Sequence, residues 1–309
     1  MKIIFMGTPD FAVPSLKAIT ASRHEIVGIV TSPDKPAGRG QIIHATPVKS
    51  FARELSIPIF QPESLKAPEF LNQLLNLKAA IMIVVAFRIL PDEVLTIPPK
   101  GAINLHASLL PKYRGAAPIN WVLINGEPET GVTIFQIRPQ VDTGEILWQE
   151  KVPIAVEDTF GSLHDRLAKI GATALVKVLD QIERGEIYPV LQNHSAATLA
   201  PKIYPQLGEI NWANSAHSIK GLIHGLSPNP GAYTFFEGKR IKILSAEWSD
   251  EIFKQFPGTV TVWDKQRLGI QTGQGILYPR ELQWEGKKIL PVAEFLRGFK
   301  AGRGDRFPS

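Results

Sequence analysis

Asn104 and His106 stand two residues apart at the end of an apolar run, and the chain then reads Ala107-Ser108-Leu109-Leu110-Pro111-Lys112-Tyr113-Arg114-Gly115-Ala116-Ala117-Pro118. In an extended strand, side chains two apart share a face, so an amide donor and a proton carrier are presented together. Pro111 cannot continue a paired strand and Arg114-Gly115 marks a turn, so chemistry and chain break coincide. That is the anatomy of a strand-end site, where open parallel sheets hold their ligands. Asp142-Thr143-Gly144 supplies a carboxylate from a second turn downstream. Transfer of an acyl group to an amine asks for three such groups. Asn104 can stabilise the oxyanion, and His106 can move the proton, imidazole having a reference pKa of about 6.5. Asp142 can orient and stabilise the imidazolium. An amine of pKa about 8 is partly deprotonated near neutrality, so direct attack suffices and Ser108 need not be a nucleophile. Taken singly, a strand-end histidine is more often structural, and Asp-Thr-Gly is common in turns. Their joint occurrence with Ser-Leu-Leu-Pro favours catalysis.

The words Asn-Leu-His-x-Ser-Leu-Leu-Pro and Tyr-Arg-Gly-Ala-Ala-Pro, with Asp142-Thr143-Gly144 after them, resemble the 10-formyltetrahydrofolate-dependent formyltransferase family. Further likeness lies at Met6-Gly7-Thr8-Pro9-Asp10-Phe11 and Pro33-Asp34-Lys35-Pro36-Ala37-Gly38-Arg39-Gly40, and it covers nearly the whole chain. The resemblance implies the triad Asn104, His106 and Asp142, with Ser108, Leu109, Leu110 and Pro111 as the folate-binding segment. It implies 10-formyltetrahydrofolate as formyl donor, no metal, and an initiator methionyl-tRNA whose α-amino group accepts. Residues 33–40 then become a basic loop entering the acceptor stem, with Lys35 at phosphates and Arg39 offering a planar fork to base edges and backbone. In the family, residues 86–91 more usually read Ala-Tyr-Gly-x-Ile-Leu-Pro and wall the pterin. Here the loop is one residue shorter, with Phe87-Arg88 in place of Tyr-Gly.

Other chemistries find little support. Gly7-Thr8-Pro9-Asp10 lacks the G-x-G-x-x-G spacing, and Pro9 removes an amide donor, so a dinucleotide fingerprint is rejected. There is no P-loop and no H-E-x-x-H, and His217 and His224, seven apart on one predicted helix, read as surface or core rather than metal ligands. The chain has no cysteine, which excludes disulfides and thiolate chemistry and agrees with a cytoplasmic address. No signal peptide is legible, and the most apolar stretch, residues 79–87, is less than half a membrane span. A monomer without membrane association is expected. Residues 1–206 hold 20 Lys/Arg against 19 Asp/Glu, whereas residues 207–309 hold 14 against 10. The basic excess therefore sits in the last third, where Lys287, Lys288, Lys300, Arg303 and Arg306 are candidates for a polyanionic partner.

The elements that must position these groups follow from periodicity. Residues 2–6, 25–31, 57–61, 79–86 and 101–107 read as strands, alternating with helical spacing at 13–21, 47–55 and 68–77. That is the rhythm of right-handed βαβ units in a doubly wound, mostly parallel, Rossmann-like α/β sheet. Residues 130–137 and 145–153 read as a hairpin extending the sheet. Residues 160–184 read as a long helix, capped by Asp158-Thr159 and stopped by Gly185. Residues 1–188 thus form a catalytic domain and 189–206 an irregular, proline-rich linker. Residues 207–309 form a C-terminal OB-like β-barrel domain, with a helix at 215–226 and strands at 232–236, 240–246, 259–263, 268–272 and 276–284. Three functions compete: formylation of methionyl-tRNA, formylation of a nucleotide-linked amino sugar, and non-catalytic RNA binding. The intact Asn104, His106 and Asp142 set argues against the last. The loop at 35–40, the Tyr-Arg-Gly-Ala-Ala-Pro wording and the basic terminal third favour tRNA over sugar.

Overall fold

A computed structural model describes residues 1–37 and 42–308. In chain order the strands are β1 (Lys2–Gly7), β2 (Glu25–Val30), β3 (Lys35–Ala37), β4 (Ile42–His44), β5 (Ile59–Phe60), β6 (Ile81–Val85), β7 (Ala102–His106), β8 (Glu129–Gln136), β9 (Ile146–Pro153), β10 (Ala232–Phe236), β11 (Lys239–Ser249), β12 (Val260–Trp263), β13 (Leu268–Gln271), β14 (Ile276–Trp284) and β15 (Ile289–Pro291). The helices are α1 (Val13–Thr20), α2 (Pro47–Ala52), α3 (Pro68–Asn76), α4 (Asp92–Leu95), α5 (Pro118–Ile124), α6 (Phe160–Arg184), α7 (Ala216–Leu226) and α8 (Val292–Phe295). By contact, residues 1–115, 130–153 and 164–199 form one compact unit, and 116–129, 154–163 and 200–309 another.

In the first unit the sheet order is β5-β2-β1-β6-β7-β8-β9. The strands from β5 to β7 are parallel, and β8 runs antiparallel to β7. The continuous apolar sequence of β6 is buried at every position, as a sheet covered on both faces requires. On one face Ile4, Met6, Met82 and Val84 pack with Phe70 and Leu74 of α3. The side chain of Leu105 in β7 turns toward α6, where a Cβ on Gly171 would lie 2.7 Å from it. Strand alternation therefore turns Asn104 and His106 to the opposite face. The long helix begins and ends where its sequence indicates. Thr159 accepts at its Oγ1 from Ser162 N at 3.4 Å, and Gly185 takes φ +72° just past the last turn.

The second unit carries an antiparallel, barrel-like sheet in the order β10-β11-β14-β13-β12, with β15 on β14. Its core gathers Trp212, Ile219, Ile223, Ile243, Phe295, Phe299 and Phe307, with Trp284 stacked 5.5 Å from Phe295. The helix α5, in a stretch whose sequence pattern specifies no element, lies close against α7. Asn120 Nδ2 donates to Gly225 O at 2.7 Å, and a Cβ on Gly221 would meet Ile124 O at 2.7 Å. That contact, formed across a hundred residues of chain, groups 116–129 with this unit, whereas the sequence pattern places them within residues 1–188. No helix among the described residues is long and apolar enough to cross a membrane.

Residues 33–40, expected as a loop, include a strand. Lys35, Pro36 and Ala37 pair antiparallel with His44, Ile43 and Ile42. Asp34 at its base accepts from Lys49 Nζ at 2.5 Å and Gln61 Nε2 at 2.7 Å. The Lys49 hydrogen bond, then that of Gln61, holds its carboxyl below the usual carboxylate range.

Candidate active site

The strand β7 lies between β6 and β8, with Asn104 opposite Phe135 and His106 opposite Thr133. Asn104 is half-buried, and its side-chain amide makes no hydrogen bond among the described residues. His106 is 6% exposed. Its Nε2 lies 2.9 Å from the carbonyl of Tyr113. A carbonyl only accepts, so Nε2 carries the hydrogen and Nδ1 presents a lone pair in the neutral ring. Nδ1 faces Asp142 Oδ2 at 3.8 Å, too far for a hydrogen bond but close enough for a carboxylate to stabilise an imidazolium. From the sequence, Asp142 is expected to orient the ring as well as to stabilise the imidazolium. In the structure the orienting hydrogen bond comes from the Tyr113 backbone, which lies at φ +60°, a region few non-glycine residues enter.

The Asp142 turn is held from several sides. Asp142, itself at φ +54°, accepts at Oδ2 from Gly115 N at 2.8 Å. Gly144 passes so close to β8 that any Cβ there would overlap the Gln136 carbonyl, 1.7 Å away, which gives the glycine of Asp-Thr-Gly a physical reason. Arg138 closes the base of the turn on Glu145 with two contacts of 3.0 Å. The backbone N–H of Glu145 and the Arg138 guanidinium keep the Glu145 carboxyl below its usual range.

Beyond His106 the segment folds back on itself. Ser108 Oγ donates to Lys112 O at 2.7 Å, and Thr133 Oγ1 donates to Ser108 O at 2.6 Å while accepting from Leu110 N at 3.1 Å. Gln149 Nε2 donates to Leu110 O at 2.7 Å. Ser108 and Leu110 are therefore buried and internally engaged, while Leu109 and Pro111 are half-buried. Sequence reading missed Thr133 and Gln149. The signal for Thr133 was register, since it is the polar residue directly across β8 from His106. The loop carrying Phe87 and Arg88 anchors through Arg88, whose Nη1 and Nη2 donate to Glu63 O at 3.0 Å and Pro62 O at 2.8 Å. It lines an open cleft of about 720 Å³ together with Leu65, Leu90 and Pro139. Lys35 is exposed, and Arg39 lies outside the described residues. Lys287, Lys288, Lys300, Arg303 and Arg306 are all exposed on the second unit.

Residues 1–179 match the family model described as formyl transferase, and residues 202–300 match that of the formyl transferase C-terminal domain. The methionyl-tRNA formyltransferase of Alkaliphilus oremlandii is 46% identical over 306 residues, covering 99% of this chain and 99% of that protein. The methionyl-tRNA formyltransferase of Caldanaerobacter subterraneus subsp. tengcongensis is 43% identical, covering 98% of this chain and 99% of that protein. Among solved structures, the N-formyltransferase from Helicobacter canadensis in complex with folinic acid and dTDP-3-aminofucose superimposes with a TM-score of 0.69 at 21% identity, covering 90% of this chain and 98% of that one. HypX from Aquifex aeolicus in complex with tetrahydrofolic acid does so with a TM-score of 0.65 at 18% identity. All of this chain is then covered but only 51% of HypX, so the chain spans about half the length of that protein. At such identities the structural likeness speaks for the fold.

Proposed function

The chain belongs to the formyl transferase family, and from that premise we propose that it carries the formyl group of 10-formyltetrahydrofolate to the α-amino group of methionyl-initiator tRNA, for translation initiation. The observation that carries the mechanism is the end of β7, where an unengaged amide, an imidazole with one nitrogen already tied down, and a carboxylate 3.8 Å from its other nitrogen come together. The amine nitrogen attacks the formyl carbon, and the Asn104 amide donates to the oxygen as it gains charge. His106 Nδ1 takes the amine proton and returns it to the N10 leaving nitrogen as the carbon–nitrogen bond breaks. Asp142 stabilises the transient imidazolium. The products are the N-formylated acceptor and tetrahydrofolate.

The folate is held by the segment Ser108, Leu109, Leu110 and Pro111. Leu109 and Pro111 offer surface, and the buried Ser108 and Leu110 fix the segment's shape. The cleft beside Arg88 and Leu90 is roomy enough for the pterin end, since ligand pockets run to roughly 300–1,000 Å³. Lys35 and Arg39 engage the acceptor stem, while residues 207–309 meet tRNA phosphates through their basic excess. The enzyme works as a cytoplasmic monomer and needs no metal. Transfer of labelled formyl from 10-formyltetrahydrofolate, with charged initiator tRNA and a nucleotide-linked amino sugar offered side by side, tests the reading. Label is expected on the methionyl-tRNA. Label on the sugar alone would overturn the assignment of substrate.

A further inference from the structure

We infer that Gln192 is a positioning residue for the transfer, the clamp that fixes the Asp142 turn beside His106. It rests on the catalytic reading above. Gln192 lies in an otherwise exposed segment, with Val190 62% and Leu191 79% exposed, yet it is itself only 6% exposed. A pair of backbone hydrogen bonds between Val190 and Ile146, of 2.8 and 2.9 Å, lays this segment along the start of β9. From there Gln192 Nε2 donates to Asp142 O at 3.0 Å and to Gly144 O at 2.8 Å. Its Oε1 accepts from Arg114 Nη2 at 2.5 Å and Nε at 3.2 Å. The amide's two donors and its acceptor oxygen are thus all engaged, and each faces the site.

The contacts close a ring. Arg114 precedes Gly115, whose N–H donates to the Asp142 carboxylate, and Gln192 grips both Arg114 and the backbone of the Asp142 turn. Arg114 is held again by His194 Nδ1 at 2.9 Å, two residues along the same segment. Asp142 keeps an uncommon φ of +54°, a conformation that persists only where its surroundings over-determine it. Gly115 fixes its carboxylate and Gln192 its carbonyl. With Gln192 removed, the turn can relax and the carboxylate drift from its place 3.8 Å from His106 Nδ1.

The test is a double-mutant cycle on the full chain, crossing Gln192→Leu with Asp142→Asn and reading kcat and KM for both substrates. Gln192→Leu is expected to lower kcat by about 10- to 100-fold with KM nearly unchanged, as small displacements of a reacting constellation do. In the Asp142→Asn background the same change should add little, because it acts through Asp142. Gln192→Glu keeps an acceptor for Arg114 but turns carboxylate oxygens toward two carbonyls, so it should be as damaging as the leucine. It takes the leucine's place in the cycle if that variant fails to fold. Multiplicative losses in the cycle, or near-normal turnover of Gln192→Glu, would overturn the clamp. Full turnover of Asp142→Asn alone would instead overturn the catalytic reading on which it rests.

Discussion

At the scale of single residues, the site depends on one amide left unengaged and one imidazole that is not. Asn104 supports no other group among the described residues, so its loss should be felt in rate and hardly in folding. Asn104→Ala is expected to lower kcat by about 10²- to 10³-fold, the usual cost of one oxyanion donor, with the melting temperature nearly unchanged. Near-normal turnover in that variant would take Asn104 out of the mechanism. The face shared by Asn104 and His106 was legible because strand alternation is a property of local sequence. What fixes the imidazole was not legible. The acceptor is the backbone carbonyl of Tyr113, and a carbonyl at an unusual φ leaves no mark in the pattern of side chains. Gln192 was hidden for a related reason. It lies in a segment read as an irregular linker, and its partners are mostly backbone oxygens fifty residues away.

Among elements, α6 could be read end to end because its cap and stop residues are local and its apolar stripe is long. The helix α5 spans only seven residues, too short to show a period, and exists by packing on α7. The same α7 carries a pH dependence. His224 is 5% exposed, and its Nδ1 donates to Asp158 O at 2.9 Å while its Nε2 accepts from Ala246 N at 3.2 Å. Both nitrogens are satisfied in the neutral ring. Burial, and then the charge of Lys220, lowers its pKa. Between that lowered value and the unfolded reference of about 6.5, the unfolded chain binds the extra proton, so stability rises with pH across this window. It is fully present above about 6.5 and lost as pH falls through the folded value. The denaturant midpoint should therefore drop between about pH 7 and pH 5, and His224→Gln should flatten that drop. His24, also lowered chiefly by burial, adds a dependence of the same sign, so the slope shrinks without vanishing. An unaltered slope in His224→Gln would remove His224 as its source.

For the molecule as a whole, charge separates the two substrates. The last third carries 14 basic against 10 acidic residues, and the basic side chains singled out there are exposed. KM for tRNA should climb steeply between low and physiological salt, as displaced counterions return to the phosphates, while KM for the folate changes little. Equal sensitivity of the two would count against an electrostatic tRNA surface on the C-terminal module. By itself the sequence determined the fold class, the strand that carries Asn104 and His106, the turn that carries Asp142, and the basic excess at the C-terminal end. Each follows from short-range periodicity, turn chemistry or composition, or from motif wording shared with the family. Only the tertiary structure decided that Tyr113 rather than Asp142 orients His106, that Ser108 and Leu110 are buried, that Gly144 must be glycine, and that α5 belongs with the second unit. Those features arise where segments distant in the chain meet, and their partners are backbone atoms and packed surfaces that no local pattern specifies.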